Sequence, residues 1–257
     1  MIVARSISKG YRNGNSWTPV LREIDLTVDP GEFLFLLGPS GSGKSTLLSI
    51  LGCVLTPDQG QLNILGREVS AMPAAELTLF RREHLGFVFQ RFHLFRGLTA
   101  VENARVPLDL QGVDKRRGNA EAAALLEAVG LADRLDSEIG RLSMGQRQRV
   151  AVARALVTKP RLVLADEPTA SLDAESGRQT VELLKGLARD RDATVVVVTH
   201  DNRILPYADR VLRVEEGRLI PDASGPRTAS ATPNSPPSPL PGNLPLSSPA
   251  VTPHGPG

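Results

Sequence analysis

Residues 33–46 read Phe-Leu-Phe-Leu-Leu-Gly-Pro-Ser-Gly-Ser-Gly-Lys-Ser-Thr. Phe33–Leu37 is a continuous apolar run, the pattern of a short strand buried on both faces. Gly38, Pro39, Ser40, Gly41, Ser42, Gly43, Lys44, Ser45 and Thr46 then match G-x-x-x-x-G-K-[ST] in full, with a helix expected through Leu47–Gly52. Glycine lets the backbone curl until successive N–H groups face phosphate oxygens. Lys44 is placed to reach the β- and γ-phosphates and the Ser45 hydroxyl to ligate Mg²⁺.

Outward from this loop, Arg161–Ala165 and Thr194–Val198 repeat the buried-strand pattern, which implies a parallel sheet covered on both faces. Ligands of such sheets bind at the carboxyl ends of the strands, where polar residues gather here. Asp166 and Glu167 end the second run. They suit a metal-holding carboxylate beside a water-polarising one, or acids that merely decorate a helix N-terminus. Leu142–Gln146 (L-S-M-G-Q) opens an amphipathic stretch through Leu156; Ser143 there fits an anion-binding helix start or an ordinary N-cap. Glu121–Val129 is rich in Ala and Leu at helical spacing, which predicts an all-helical insert, a second lobe within about 91–155.

The 257 residues carry 30 Lys+Arg against 28 Asp+Glu, and the two signs are interspersed, so nucleic acid is not expected as a partner. Cys53 has no second cysteine to pair with, and no Cys/His set falls at zinc spacing. Met1–Arg5 leads into strand-like alternation rather than an export signal, and no apolar run approaches the ~18 residues of a membrane span. From Asp222 to Gly257 the formal charges are Asp222 and Arg227 in a Pro- and Ser-rich stretch. A folded unit over 1–220 and a disordered tail over 221–257 are expected, the tail being a docking motif or a solvated extension.

Taken in order, the motifs resemble those of ATP-binding cassette (ABC) ATPases. L-S-M-G-Q resembles the signature, Gln90 in F-V-F-Q the Q-loop glutamine, and Ala170–Asp173 the D-loop. His200 in V-T-H-D resembles the switch histidine and Tyr11 the aromatic residue that stacks on adenine, with Trp17 nearby as a substitute. Met144 departs from the usual glycine of the signature.

The resemblance implies an α/β fold: a P-loop NTPase (RecA-like) parallel-sheet core with an antiparallel β subdomain and the α-helical insert. It also implies ATP and Mg²⁺, with Ser45, Gln90 and Asp166 around the metal, Glu167 and His200 catalytic, and Tyr11 on the base. Two copies would sandwich two ATP, with Ser143, Gly145 and Gln146 acting in trans and Asp173 crossing the interface. Finer likeness, in Phe87–Leu98 and in L-V-L-A-D-E-P-T-A, is to the MacB/LolD group and within it to DevA-type ATPases. That group implies a separate membrane permease, a periplasmic adaptor, outward movement of lipids or hydrophobic compounds, and a peripheral place on the cytoplasmic face of the inner membrane. A soluble ABC ATPase uncoupled from transport is the alternative. DNA-repair members carry a long coiled coil between P-loop and signature, whereas about 100 residues separate Lys44 from Ser143 here. Phe92, Leu94 and Phe95 are expected either to pack between lobes or to line a groove for the permease.

Overall fold

The computed structural model describes residues 1–14 and 16–221; the Pro-rich stretch from Asp222 onward lies outside the described residues. The chain opens with β1 (Ile2–Asn13) and β2 (Ser16–Val28), an antiparallel hairpin, then β3 (Phe33–Leu37) and α1 (Lys44–Leu51). β4 (Gln59–Ile64) and β5 (Arg67–Glu68) follow, then α2 (Ala74–His84) and β6 (Leu85–Val88). Next come three helices, α3 (Ala100–Leu110), α4 (Lys115–Ala128) and α5 (Met144–Leu156). The chain closes with β7 (Leu162–Asp166), α6 (Ala174–Arg189), β8 (Thr194–Thr199), β9 (Arg210–Glu215) and β10 (Arg218–Pro221).

Two sheets result: an antiparallel one in the order β2-β1-β4-β5, and a six-stranded one in the order β10-β9-β3-β8-β7-β6. In the second sheet β9, β3, β8, β7 and β6 run parallel, and only β10 is antiparallel to its neighbour. This is the parallel core with an antiparallel β subdomain and helices that the motifs imply. The apolar runs are buried on both faces because successive side chains alternate. Phe33, Phe35, Val163, Val195 and Val197 face one core, with α3 to α6. Leu34, Leu36, Leu164, Val196 and Val198 face the other, with α1 and the antiparallel sheet.

The helical segment begins later than 91. Residues 91–99 form a loop in which Phe92 (φ 59°) and His93 (φ 48°) are both left-handed, which no helix tolerates. α3 starts where Thr99 and Glu102 form a reciprocal capping box. Ala104, Leu126, Val150 and Val152 share one cluster with Phe35 and Val197, so the core of these helices is continuous with that beneath the sheet. Among the described residues no helix is long and apolar enough to cross a membrane.

Candidate functional site

Four adjacent parallel strands, β3, β8, β7 and β6, end side by side, with Leu37 opposite Thr199, Val198 opposite Asp166 and Ala165 opposite Val88. Their carboxyl ends therefore deliver, in spatial order, the loop 38–46, His200, Asp166 with Glu167, and Gln90. Chain positions far apart meet here because the strands are parallel and in register.

Within the loop, Gly41 (φ 80°) and Gly43 (φ 102°) are left-handed. A Cβ on Gly43 would also sit 2.8 Å from the Leu21 side chain and 2.9 Å from the Val20 carbonyl, so conformation and space both demand glycine. α1 begins directly after it with no side-chain cap and no acidic residue in its first turn, so the helix presents bare N–H groups at its positive end. Lys44 is buried and its Nζ donates to the carbonyls of Gly38 (2.7 Å) and Pro39 (2.8 Å). Burial lowers its pKa; the charges of Glu167 and Asp166 oppose that shift. The Ser42 hydroxyl is buried and has no hydrogen-bond partner among the described residues, an orphan donor inside the curl of the loop. An anion lodged there would satisfy it.

Ser45 donates its hydroxyl to Asp166 Oδ1 at 3.2 Å, which joins the start of α1 to the end of β7. Burial raises the Asp166 pKa, and the Ser45 hydrogen bond opposes the rise. These two hard oxygens fit Mg²⁺, which takes one or two protein oxygens and completes its shell with substrate phosphates and water. Among the described residues no cluster of three His, Cys, Asp or Glu could hold a metal ion.

Glu167 adopts φ 48°, a left-handed conformation rare for a non-glycine residue. The strain turns its carboxylate towards β8, where His200 Nδ1 lies 2.7 Å from Oε1 and the His200 backbone N–H donates to Oε2 at 3.4 Å. Asp201 holds this corner: its carboxylate accepts from Thr169 Oγ1 (3.0 Å) and from the Arg203 backbone N–H and guanidinium. The Arg203 hydrogen bond keeps the Asp201 pKa below the usual range. Sequence reasoning passed over Thr169, Asp201 and Arg203. The signal was an aspartate two residues before an arginine at the start of a turn.

Gln90 is exposed in the turn after β6. Tyr11 is also exposed, on β1 opposite Thr18. Trp17 pairs with Arg12, one residue on, so its ring projects from the other face of the hairpin. There it covers Gly10, whose Cβ would stand 2.5 Å from the indole. Tyr11 and Trp17 thus stand on opposite faces of the hairpin, so the two rings do not share one surface.

At the other candidate anion end, Ser143 caps α5: the Gln146 N–H donates to its hydroxyl (3.2 Å) and Gln146 Oε1 accepts from the Ser143 N–H (2.9 Å). The backbone N–H groups of Ser143 and Gln146 are thereby used within the chain. Gly145 faces α6, where a Cβ would make ordinary contact with Ser176, and the Met144 side chain is exposed. Asp173 caps α6 by accepting from the N–H groups of Glu175 and Ser176. Among the described residues no hydrogen bond or ion pair links Ser143, Gly145, Gln146 or Asp173 to the phosphate-loop cluster.

Beside the Gln90 turn lies a groove of about 670 Å³ lined by Val54, Leu85, Phe87, Phe89, His93 and Phe95, among others. Of the three apolar residues noted in the sequence, Phe95 lines it, while Leu94 packs against the helical core. Phe92 is not among the residues of its wall.

A family model described as ABC transporter matches residues 21–170. The uncharacterized ABC transporter ATP-binding protein MJ1508 of Methanocaldococcus jannaschii is 43% identical over 220 residues, 86% of this chain and 98% of its own length. The macrolide export ATP-binding/permease protein MacB of Salmonella typhimurium is 42% identical over 84% of this chain, which spans 33% of MacB. Among solved structures, the dimeric ATP-binding cassette MJ0796 bound to ADP and Pi superposes with a TM-score of 0.80 at 37% identity, covering 85% of this chain and 96% of that one. The cbiO1 protein of Clostridium perfringens, part of the ABC transporter complex cbiONQ, gives 0.76 at 27% identity, over 85% and 86% of the two chains.

Proposed function

The chain belongs to the ABC transporter family as an ATP-binding, ATP-hydrolysing subunit, and from that premise we propose that it powers an exporter of lipids or other hydrophobic compounds through a membrane permease. The carrying observation is the single cluster at the ends of β3, β7 and β8: an uncapped phosphate loop, the Ser45–Asp166 pair and the Glu167–His200 pair. The export direction is supported by the likeness to MacB, which is named an ATP-binding/permease protein and of which this chain matches about a third. A periplasmic adaptor and a peripheral place on the cytoplasmic face of the inner membrane belong to the same reading.

In this reading the first-turn N–H groups of α1, the Ser42 hydroxyl and Lys44 bind the phosphates of ATP, and Tyr11 supports the base. Ser45, Asp166 and Gln90 would hold Mg²⁺, which would supply charge neutralisation to the bound phosphates. Glu167 polarises the attacking water. A carboxylate offers about four lone-pair sites, so it can accept from His200 and from water together. His200 senses the γ-phosphate while keeping Glu167 oriented. Two copies close head to tail, and Ser143, Gly145 and Gln146 of the partner subunit complete the site, a pairing that parallels the dimeric MJ0796 cassette. Closure uses contacts that exist only with ATP, so hydrolysis reopens the dimer and moves the permease. The apolar groove, with Phe95 exposed at its rim, receives a permease helix.

The test compares wild type with Glu167→Gln, alone and in nanodiscs with the membrane protein that co-purifies with it. Glu167→Gln is expected to keep ATP affinity, lose turnover by roughly a hundredfold or more, and accumulate an ATP-dependent dimer on size exclusion. Unchanged turnover would remove Glu167 from the chemistry. Phe95→Glu should abolish permease stimulation and spare nucleotide binding. ATPase activity indifferent to the membrane partner would favour a soluble ABC ATPase instead.

A further inference from the structure

We propose that Arg154, on the last turn of α5, is a positioning residue for Gln90: its guanidinium pins the two left-handed residues that follow the glutamine and so sets where Gln90 stands. The inference rests on the Mg²⁺-holding role given to Gln90 above.

Phe92 and His93 are consecutive non-glycine residues at φ 59° and 48°. Such conformations persist only where the surroundings over-determine them. Arg154 supplies the determination, with Nη1 donating to the His93 carbonyl at 2.6 Å and Nη2 to the Phe92 carbonyl at 2.7 Å. The planar fork of arginine matches two successive carbonyls as a lysine cannot. Among the described residues Arg154 makes no ion pair with a carboxylate, and burial lowers its pKa. A half-buried cation whose hydrogen bonds go to backbone carbonyls is costly to keep for packing alone.

The chain on either side of Gln90 is stiff. The His93 ring stacks on Phe89 (4.7 Å) and Phe89 on Phe87 (5.6 Å), which ties the loop to β6. Downstream, fully buried Asn103 accepts from the Phe95 N–H and donates to the carbonyls of Phe95, Leu98 and Thr99. Gln90 thus sits in a short turn that the Phe92 N–H closes on the Phe89 carbonyl (3.0 Å) and that Arg154 holds from its downstream side. Because α5 also begins with Ser143, the same helix that would face the partner subunit carries the residue that sets the Gln90 turn. Arg154 lines the apolar groove as well, so a helix seated there would press on the same clamp.

The experiment is a double-mutant cycle on the full chain: Arg154→Met, Arg154→Lys, Gln90→Ala and Arg154→Met with Gln90→Ala, measured for kcat with Mg·ATP and for equilibrium binding of ADP. Arg154→Met is expected to lower kcat about tenfold with ADP affinity held within about twofold, and Arg154→Lys to recover part of the loss. The double variant should turn over no more slowly than Gln90→Ala alone, because the arginine acts through the glutamine. Hydrogen exchange should accelerate across residues 89–95 and stay unchanged in β3, β7 and β8. Multiplicative losses in the double variant, or ADP affinity falling in step with kcat, would overturn the proposal and leave Gln90 its role. A Gln90→Ala enzyme with unchanged kcat would overturn the role of Gln90 and this proposal with it. If Arg154→Met does not fold, Arg154→Lys carries the same cycle.

Discussion

Two helices of this chain begin where an anion could be received, and they begin in opposite ways. α1 follows left-handed Gly43 with no side-chain cap, whereas α5 starts with Ser143 and Gln146 satisfying each other's backbone donors. An N-cap is worth about 1 kcal/mol, so α1 forgoes stability that α5 takes. The difference separates a site built for a ligand from a surface that is stable without one. On the proposed mechanism the α1 end binds ATP in each single copy. The α5 end meets phosphate only when another copy brings it, exchanging its internal cap for the new contact.

The largest test of this contrast is Lys44→Ala. Removing a charge-assisted donor from the α1 end should weaken ADP binding about a hundredfold, or about 3 kcal/mol, by equilibrium titration with a fluorescent analogue. A loss below threefold would mean that the bare N–H groups suffice and the lysine serves only its Gly38 and Pro39 carbonyls. Ser143→Ala is the complementary and smaller test. ADP affinity should stay within about twofold, turnover should fall about tenfold, and the urea midpoint should report about 1 kcal/mol of lost capping. Full turnover with the stability loss intact would make Ser143 an N-cap and nothing more.

How much of this was legible in the sequence depends on how local its cause is. The loop 38–46 could be read outright because glycine at 41 and 43 encodes its own backbone geometry, and β3, β7 and β8 because unbroken apolar runs have few other uses. β6 could not: it is four residues long and interrupted by Gly86. That glycine is required by the Ala155 carbonyl, which would stand 2.1 Å from a Cβ there. Strand-like alternation was visible at the N-terminus, but the antiparallel sheet itself came from family likeness, since bulges between β1 and β2 break the pairing pattern a reader would look for. The Asp166–Glu167 pair was visible as chemistry, but its bond to His200 joins residues 33 apart and depends on the register of β7 with β8. Which face of the hairpin Trp17 takes, and which of Phe92, Leu94 and Phe95 reaches the groove, depend on strand register and on the path of the loop, and neither is written in local composition.

The smallest effect sharpens the comparison most finely. Met144 occupies the first helical position of α5, where the resembled signature has glycine, and its side chain is 48% exposed. Whatever α5 offers to a phosphate comes from the Ser143 hydroxyl and from backbone N–H groups, which any residue at 144 supplies equally. Met144→Gly should therefore change turnover less than about twofold. It should cost under ~1 kcal/mol of stability, because glycine gives up helix propensity at a position that buries little. A several-fold rise in turnover at constant ADP affinity would reveal that the methionine obstructs approach of the partner subunit. A several-fold fall would make its thioether part of the contact. In either case the α5 end would be tuned by a side chain beyond Ser143, and the view of residue 144 as a mere carrier of a backbone N–H would end there.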